Sequence, residues 1–254
     1  MKKPTLKELG EKADAMEAKE AFQWLSALSE KYGDPVKKLA DKYYKRMEAI
    51  KKEEDRLQAM FTMEYEAYEE GFQLVGGIDE AGRGPLAGPV VAACAVLPPG
   101  LLLHKLNDSK KLTADVRERL FEQICEKALT YGIGIVDNQI IDDINIYEAT
   151  KKAMAIAVDN MRLRPDFLII DAIRLPVKIP QRAVPKADQN SVSVAAASIL
   201  AKVTRDRIMV ELDRTYPGYG FAQHKGYGTR EHIKAIKEIG LCPIHRRSFT
   251  KNFV

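Results

Sequence analysis

Apolar positions divide this chain into two unlike parts. In the first, Val36, Leu39, Ala40, Tyr43, Met47 and Ile50 recur at spacings of three and four, which makes one apolar face of a helix. Helices are expected over 5–31 and 35–66, with Gly33-Asp34-Pro35 interrupting the pattern between them. From about Phe72 the pattern changes to short apolar runs separated by amphipathic stretches. Residues 74–78, 90–97 and 130–136 predict strands. Residues 113–129 predict a helix with Thr113 as its N-cap, and 143–163 a second that stops before Arg164-Pro165. Residues 167–170 are wholly apolar, the pattern of a strand buried on both faces. Pro176, Pro180 and Pro185 make 176–185 a loop or short edge strand, and 191–214 predicts a long helix whose first half is built of small residues. Strands alternating with helices imply a mixed α/β sheet. The expectation is an α/β domain over 71–254 behind a helical N-terminal extension over 1–70, where Trp24, Tyr43 and Tyr44 serve packing.

Composition narrows the class. Apolar residues make up 46% and charged residues 30%, as in soluble globular proteins. No apolar run approaches the roughly 20 residues needed to span a bilayer. Met1-Lys2-Lys3-Pro4 leads into charged helix formers rather than an apolar signal core, so a cytosolic protein with no membrane partner is expected. Cys94, Cys125 and Cys242 are odd in number and lack metal-ligand spacing, which fits a reducing compartment. The net charge of +4 is unevenly spread. Residues 1–70 carry 14 Lys and Arg against 16 Asp and Glu, whereas residues 186–254 carry 12 against 6. A basic last quarter favours a polyanion such as nucleic acid.

The chemistry concentrates in Ile-Asp-Glu-Ala-Gly-Arg-Gly, residues 78–84. Asp79 and Glu80 close an apolar run and a Gly82-Arg83-Gly84 turn follows. Hard oxygen ligands beside exposed backbone N–H groups can hold a divalent cation and come close to a phosphate or sugar. Adjacent strand residues point to opposite faces, so Asp79 and Glu80 share a site only where the strand bends or ends. Asp171 ends the run 167–170, and Asp188 lies just before the long helix, where it also suits a helix cap. Acids at element ends are typical of sites at the edge of an α/β sheet. Lys110, Lys111, Lys202, Lys225, Arg246 and Arg247 are candidates for phosphate contacts, and His224, His232 and His245 lack metal-like spacing and suit hydrogen bonding.

These motifs carry a resemblance. Asp79 to Gly84 followed by Gly88-Pro89-Val90 resembles the first motif of bacterial ribonuclease HII, a type 2 ribonuclease H. Five more stretches are similar to that family in the same order. They are Asn107-Asp108-Ser109-Lys110, Ile170-Asp171, Asp188 with 195–202, His224 to Thr229, and Pro243-Ile244-His245-Arg246. Lys186-Ala187-Asp188 departs slightly from a common Lys-Gly-Asp.

The resemblance implies a ribonuclease H-like mixed sheet flanked by helices. It implies endonucleolytic cleavage of the RNA strand of RNA–DNA hybrids. It also implies nicking 5′ of single ribonucleotides embedded in duplex DNA, leaving 3′-hydroxyl and 5′-phosphate ends for ribonucleotide removal. Asp79, Glu80, Asp171 and Asp188 would be catalytic ligands of one or two Mn²⁺ or Mg²⁺ ions, the second arriving with substrate. Gly82, Arg83, Gly84 and Tyr227 would read the junction between a ribonucleotide and the next deoxynucleotide, with Lys110, Lys202 and Lys225 also binding substrate, in a monomeric enzyme. Two alternatives stay open: another nuclease of the same fold, such as a resolvase, and a non-catalytic hybrid-binding protein.

Overall fold

A computed structural model describes residues 4–252 of the chain. It divides into two compact units, Met1–Arg56 and Leu57–Val254. The first contains α1 (Leu6–Asp14), α2 (Ala18–Tyr32) and most of α3 (Asp34–Met60). One helix was expected over 5–31. Two form, separated at Ala15-Met16-Glu17, with no glycine or proline to mark the break. Thr5 begins α1 with a capping box, its hydroxyl accepting from Glu8 N–H at 3.2 Å and its own N–H donating to the Glu8 carboxylate at 2.7 Å. Leu9, Ala13, Leu25, Val36, Ala40 and Tyr43 form this unit's core, with Trp24 packed against it. Tyr44 is 39% exposed but does pack, its ring lying 5.1 Å from that of Phe22, and its hydroxyl donates to Glu48 at 2.9 Å.

The second unit holds α4 (Thr62–Glu69), β1 (Val75–Ala81), β2 (Val90–Val96), α5 (Ala114–Lys127), β3 (Thr130–Val136) and α6 (Asn138–Asp159). It continues through β4 (Phe167–Asp171), β5 (Gln181–Val184), α7 (Val192–Thr215), α8 (Phe221–His224), α9 (Arg230–Ile239) and α10 (Arg247–Thr250). The strands form one sheet ordered β3-β2-β1-β4-β5. β1 runs antiparallel to β2 and parallel to β4, β2 is antiparallel to β3, and β4 is parallel to β5. Helices cover both faces. Val91, Ala93 and Ala95 of β2 join α7, α5 and the end of α3 in one core, while Val90, Ala92, Cys94 and Val96 join α6 in the other. That two-sided burial explains the unbroken apolar run of β2. The start of α7 lies directly on β1. A Cβ added to Gly77 would stand 2.1 Å from the Val194 nitrogen.

Three boundaries differ from those expected. β1 does not stop at Ile78, because Asp79, Glu80 and Ala81 pair with Ala93, Ala92 and Val91 of β2. α6 starts earlier than 143, with the Asp137 carboxylate accepting from Ile140 N–H at 2.9 Å, and it kinks at Asn145, whose φ is 69°. Residues 57–70 were grouped with the extension, but the helix breaks at Phe61 and α4 falls inside the second unit. There Glu64 is fully buried and its carboxylate accepts from Ser191 Oγ and from Ser193 N–H, the latter at 3.0 Å. Among the described residues no helix is long and apolar enough to cross a membrane.

Candidate active site

The sheet register brings the first two acids together. The last pair of β1 and β4 is Ile78 with Ile170, and the next residues on the two strands are Asp79 and Asp171. Level residues on neighbouring parallel strands face the same way. Asp188 is not the cap of α7. Ser191 is, accepting from Val194 N–H at 3.2 Å. Asp188 instead sits in a short 3-10 turn, Ala187–Gln189, and that turn docks on β4 when Ala187 N–H donates to Asp171 Oδ1 at 3.3 Å. The left-handed residue of this segment is Lys186, with φ 59°, so the departure at Ala187 costs no backbone strain.

Like charges are crowded here. Burial pushes the Asp79 carboxyl well above the usual range, and the neighbouring Glu80 and Asp171 charges push it further. Burial also raises Glu80, against the pull of Arg83, whose guanidinium is 3.2 Å from Oε1. Burial raises Asp188, with Asp108 and Asp171 adding to it. Lys110 stands among them. Partial desolvation lowers its pKa, but the fields of Asp79, Asp108, Asp188 and Glu80 more than reverse that. The structure therefore brings all four predicted acids to one sheet edge, with Lys110 in the field of Asp79, Glu80 and Asp188 and Lys111 also acting on Asp188. Among the described residues the edge presents no ready group of three His, Cys, Asp or Glu side chains around a metal position. Its chemistry fits a hard divalent cation: the donors are all carboxylates, and Glu80 Oε2 is buried without a hydrogen-bond partner.

The Gly-Arg-Gly turn is held from behind by two buried arginines. Arg246 donates to the carbonyls of Gly88 at 2.9 Å, Arg83 at 2.9 Å and Gly82 at 2.6 Å. Arg205 donates to the carbonyls of Pro89 at 3.0 Å, Lys225 at 2.9 Å and Ala87 at 3.2 Å. Arg246 was a candidate for phosphate contact. It is fully buried, donates to main-chain carbonyls and lies 5.2 Å from the Phe249 ring centre, so it positions the loop instead. Gly82 has φ 95°, and a Cβ there would stand 2.0 Å from Arg205 Nε. Gly84 is open, a Cβ there meeting only the Tyr227 ring at 3.9 Å. Tyr227 is 44% exposed, with the Arg205 guanidinium 5.9 Å from its ring centre. Gly84 and Tyr227 thus border one surface.

The other predicted lysines lie elsewhere. Lys202 pairs with Asp206 at 2.7 Å, and Lys225 Nζ donates to the Ala222 carbonyl. Both line a cleft of about 450 Å³ with Arg117 and Arg207, and none of the four acids lines it. The three histidines are hydrogen bonded, as their spacing implied. Sequence reasoning gave no role to Arg205, to Asp108 or to Ser198, whose side chain offsets part of the rise in the Asp79 pKa. A signal for Arg205 exists: Ala201, Arg205 and Met209 are spaced by four on the buried side of α7.

Comparison with known proteins agrees with this geometry. The model of the family Ribonuclease HII matches residues 76–252. The chain is 53% identical over 251 residues to the ribonuclease HII of Acetivibrio thermocellus, covering 98% of both chains. It is 47% identical over 255 residues to that of Clostridioides difficile, covering all of both. Among solved structures it is similar to the ribonuclease H2 of Pyrococcus horikoshii, with TM-score 0.61 and 29% identity over 71% of this chain and 97% of that one. The ribonuclease HII of Archaeoglobus fulgidus, solved with PCNA, gives 0.58 and 27% over 70% and 95%. Fold and relatives together define a ribonuclease H, a hydrolase of phosphodiesters. Within that class, the chain belongs to the ribonuclease HII family.

Proposed function

We propose that this chain is a divalent-metal-dependent endonuclease. It cleaves the RNA strand of RNA–DNA hybrids and nicks 5′ of a single ribonucleotide in duplex DNA, leaving 3′-hydroxyl and 5′-phosphate ends. The observation that carries this reading is the mutual crowding of Asp79, Glu80, Asp171 and Asp188, with Lys110 in the field of Asp79, Glu80 and Asp188 and one buried carboxylate oxygen unpartnered. These acids are the residues that would hold Mg²⁺ or Mn²⁺. Such ions, when bound, activate water and neutralise charge on the leaving oxygen.

The chain's own residues supply position and selectivity. Asp171 and Asp188 are kept together by the Ala187 N–H bond, and Lys110 tempers the repulsion among the acids. The 2′-hydroxyl is what distinguishes RNA from DNA at one sugar, and the side-chain-free edge at Gly84 lets backbone approach it. Tyr227 stacks on the following sugar. The enzyme acts as a cytosolic monomer on this reading, and the helical extension is not needed for chemistry. The test is a duplex containing one ribonucleotide, incubated with Mg²⁺ or Mn²⁺ and mapped for product ends. One nick 5′ of the ribonucleotide is expected, with Asp171→Asn binding the duplex but not cutting it. Equal cutting of an all-DNA duplex, or no cutting with either ion, overturns the proposal.

A further inference from the structure

Beneath the Tyr227 loop lies a directed chain of hydrogen bonds that the reading above does not use. The Cys242 N–H donates to His245 Nδ1 at 3.0 Å. The Cys242 thiol, whose pKa burial pushes up, stands 3.1 Å from the same nitrogen. The Cys242 carbonyl also lies 3.3 Å from Nδ1, but the nearer main-chain N–H can only donate, so Nδ1 is the acceptor and the His245 proton is on Nε2, which lies 3.0 Å from His232 Nε2. His232 Nε2 must then accept, which puts its own proton on Nδ1, 2.9 Å from the Tyr227 carbonyl. A main-chain N–H at Cys242 thus sets the tautomers of two imidazoles and ends as a donor to Tyr227.

The surroundings keep this chain neutral and rigid. His232 is fully buried and His245 nearly so. Burial lowers both pKa values, His232 to about 4. His224 stacks on His232 at 4.5 Å, accepts from Gly226 N–H at 3.1 Å and faces the Tyr219 carbonyl at 2.8 Å. Tyr227 itself is flanked by glycines, and Gly226 has φ 83°. Its half-exposed ring lies 5.9 Å from the Arg205 guanidinium, and its main chain is held by its own N–H to the His224 carbonyl at 2.9 Å and by the Thr229 N–H and the His232 Nδ1–H on its carbonyl, at 2.8 and 2.9 Å.

We propose that His232 is a positioning residue for substrate discrimination: with its tautomer fixed by His245, it holds the Tyr227 main chain so that the ring meets the sugar following a ribonucleotide. This rests on the reading of Tyr227 given above, and the experiment separates the two. The measurement is kcat/KM on a duplex with one ribonucleotide and on a long RNA–DNA hybrid, for His232→Ala, His232→Asn, Tyr227→Ala and the double variant His232→Ala/Tyr227→Ala. An Asn amide can replace the Nδ1–H donor. His232→Ala should lower the single-ribonucleotide value about five- to tenfold, the order of one hydrogen bond, and the hybrid value less. His232→Asn should restore most of the ratio, and His232→Ala should not change the ratio further when Tyr227 is already Ala. If His232→Ala does not fold, His245→Phe keeps the ring volume, removes the donor to His232, and carries the same expectation. The proposal is overturned if both substrates fall equally, if Asn restores nothing, or if the effect on the ratio persists without Tyr227. If Tyr227→Ala leaves the ratio unchanged, the reading of Tyr227 itself fails. A normal Tyr227 effect with a silent His232 overturns this inference alone.

Discussion

Asp79 and Arg205 are both buried, and both are ionised in their ordinary state, but the protein compensates them differently. Among the described residues Arg205 and its neighbour Arg246 form no ion pair with a carboxylate; their N–H groups are met by six main-chain carbonyls. Each arginine is structurally complete, and its loops are complete only with it. The acids at the sheet edge have few donors of their own. Asp79 receives its neighbour's N–H at 2.8 Å and partial relief from the Ser198 side chain, and Glu80 keeps one oxygen without any partner. On the proposed reading, that charge is left for a divalent cation. Neutralising an acid should therefore relax the protein while stopping its chemistry. Neutralising an arginine should break the protein.

The largest effect is expected at Asp79. Asp79→Asn should lower cleavage at least ~100-fold, the scale of a lost electrostatic catalytic group. The same change should raise the melting temperature of the metal-free protein at pH 7. The sign follows from linkage: the folded pKa of Asp79 is raised above 3.8, so its favourable contribution exists below about pH 4 and is lost as pH rises through the folded value. Melts with chelator at pH 7 and pH 4 check this, and the gap should close at the lower pH. Unchanged turnover, or a variant that melts below the parent at pH 7, would contradict the contrast drawn here.

Arg246→Met tests the other side. It leaves three carbonyls without their donor and should cost on the order of 3 kcal/mol by chemical denaturation, since each buried unsatisfied group costs about 1–3 kcal/mol. Gly82→Ala attacks the same staple from the loop. Its Cβ would overlap Arg205 at a φ of 95°, so it should destabilise too, and metal should restore neither. A loss below ~0.5 kcal/mol for Arg246→Met shows that the carbonyls find water instead.

Glu64 is an intermediate case, a buried acid with one oxygen satisfied by Ser191 and Ser193 and the other unpartnered. It ties α4 to the start of α7, three residues after Asp188. A chain beginning at Leu57 should fold and cleave, whereas one beginning at Tyr65 should melt lower because it lacks this contact. Glu64→Ala in the full chain should cost about 1–2 kcal/mol, like loss of a helix cap. Equal melting of the two truncated chains shows that residues 57–64, Glu64 among them, add nothing to the stability of the second unit.

What could be read beforehand follows the same division. The acids were legible because carboxylates at the ends of apolar runs conflict with burial and so attract notice. The continuation of β1 through Asp79 and Glu80 was not, because neither residue favours strands and pairing with β2 decides the matter. Asp188 read equally well as a cap because Ser191, the residue that caps α7, lies only three positions on. Arg205 and Arg246 were illegible as buried groups, since arginine defaults to the surface and their partners are carbonyls far away in sequence. Lys202 looked like a free cation until Asp206, one helical turn on, proved to hold it. Where chemistry sits in a local motif the sequence displays it; where a side chain serves a remote backbone, only the folded chain does.

The smallest effect sharpens the boundary between the stapled loop and the substrate face. Gly84 is two residues from Gly82, but the arginines make no demand on it, and a Cβ there meets one atom of Tyr227 at ordinary contact distance. Gly84→Ala should leave stability within ~0.5 kcal/mol of the parent, as for surface changes without strain. If this edge approaches the ribose, the added methyl should still lower kcat/KM on a single embedded ribonucleotide by a few-fold, with little change on long hybrids. A variant that loses stability like Gly82→Ala would place Gly84 within the staple. One that is stable and fully active would show that the sugar does not pass this edge of the loop.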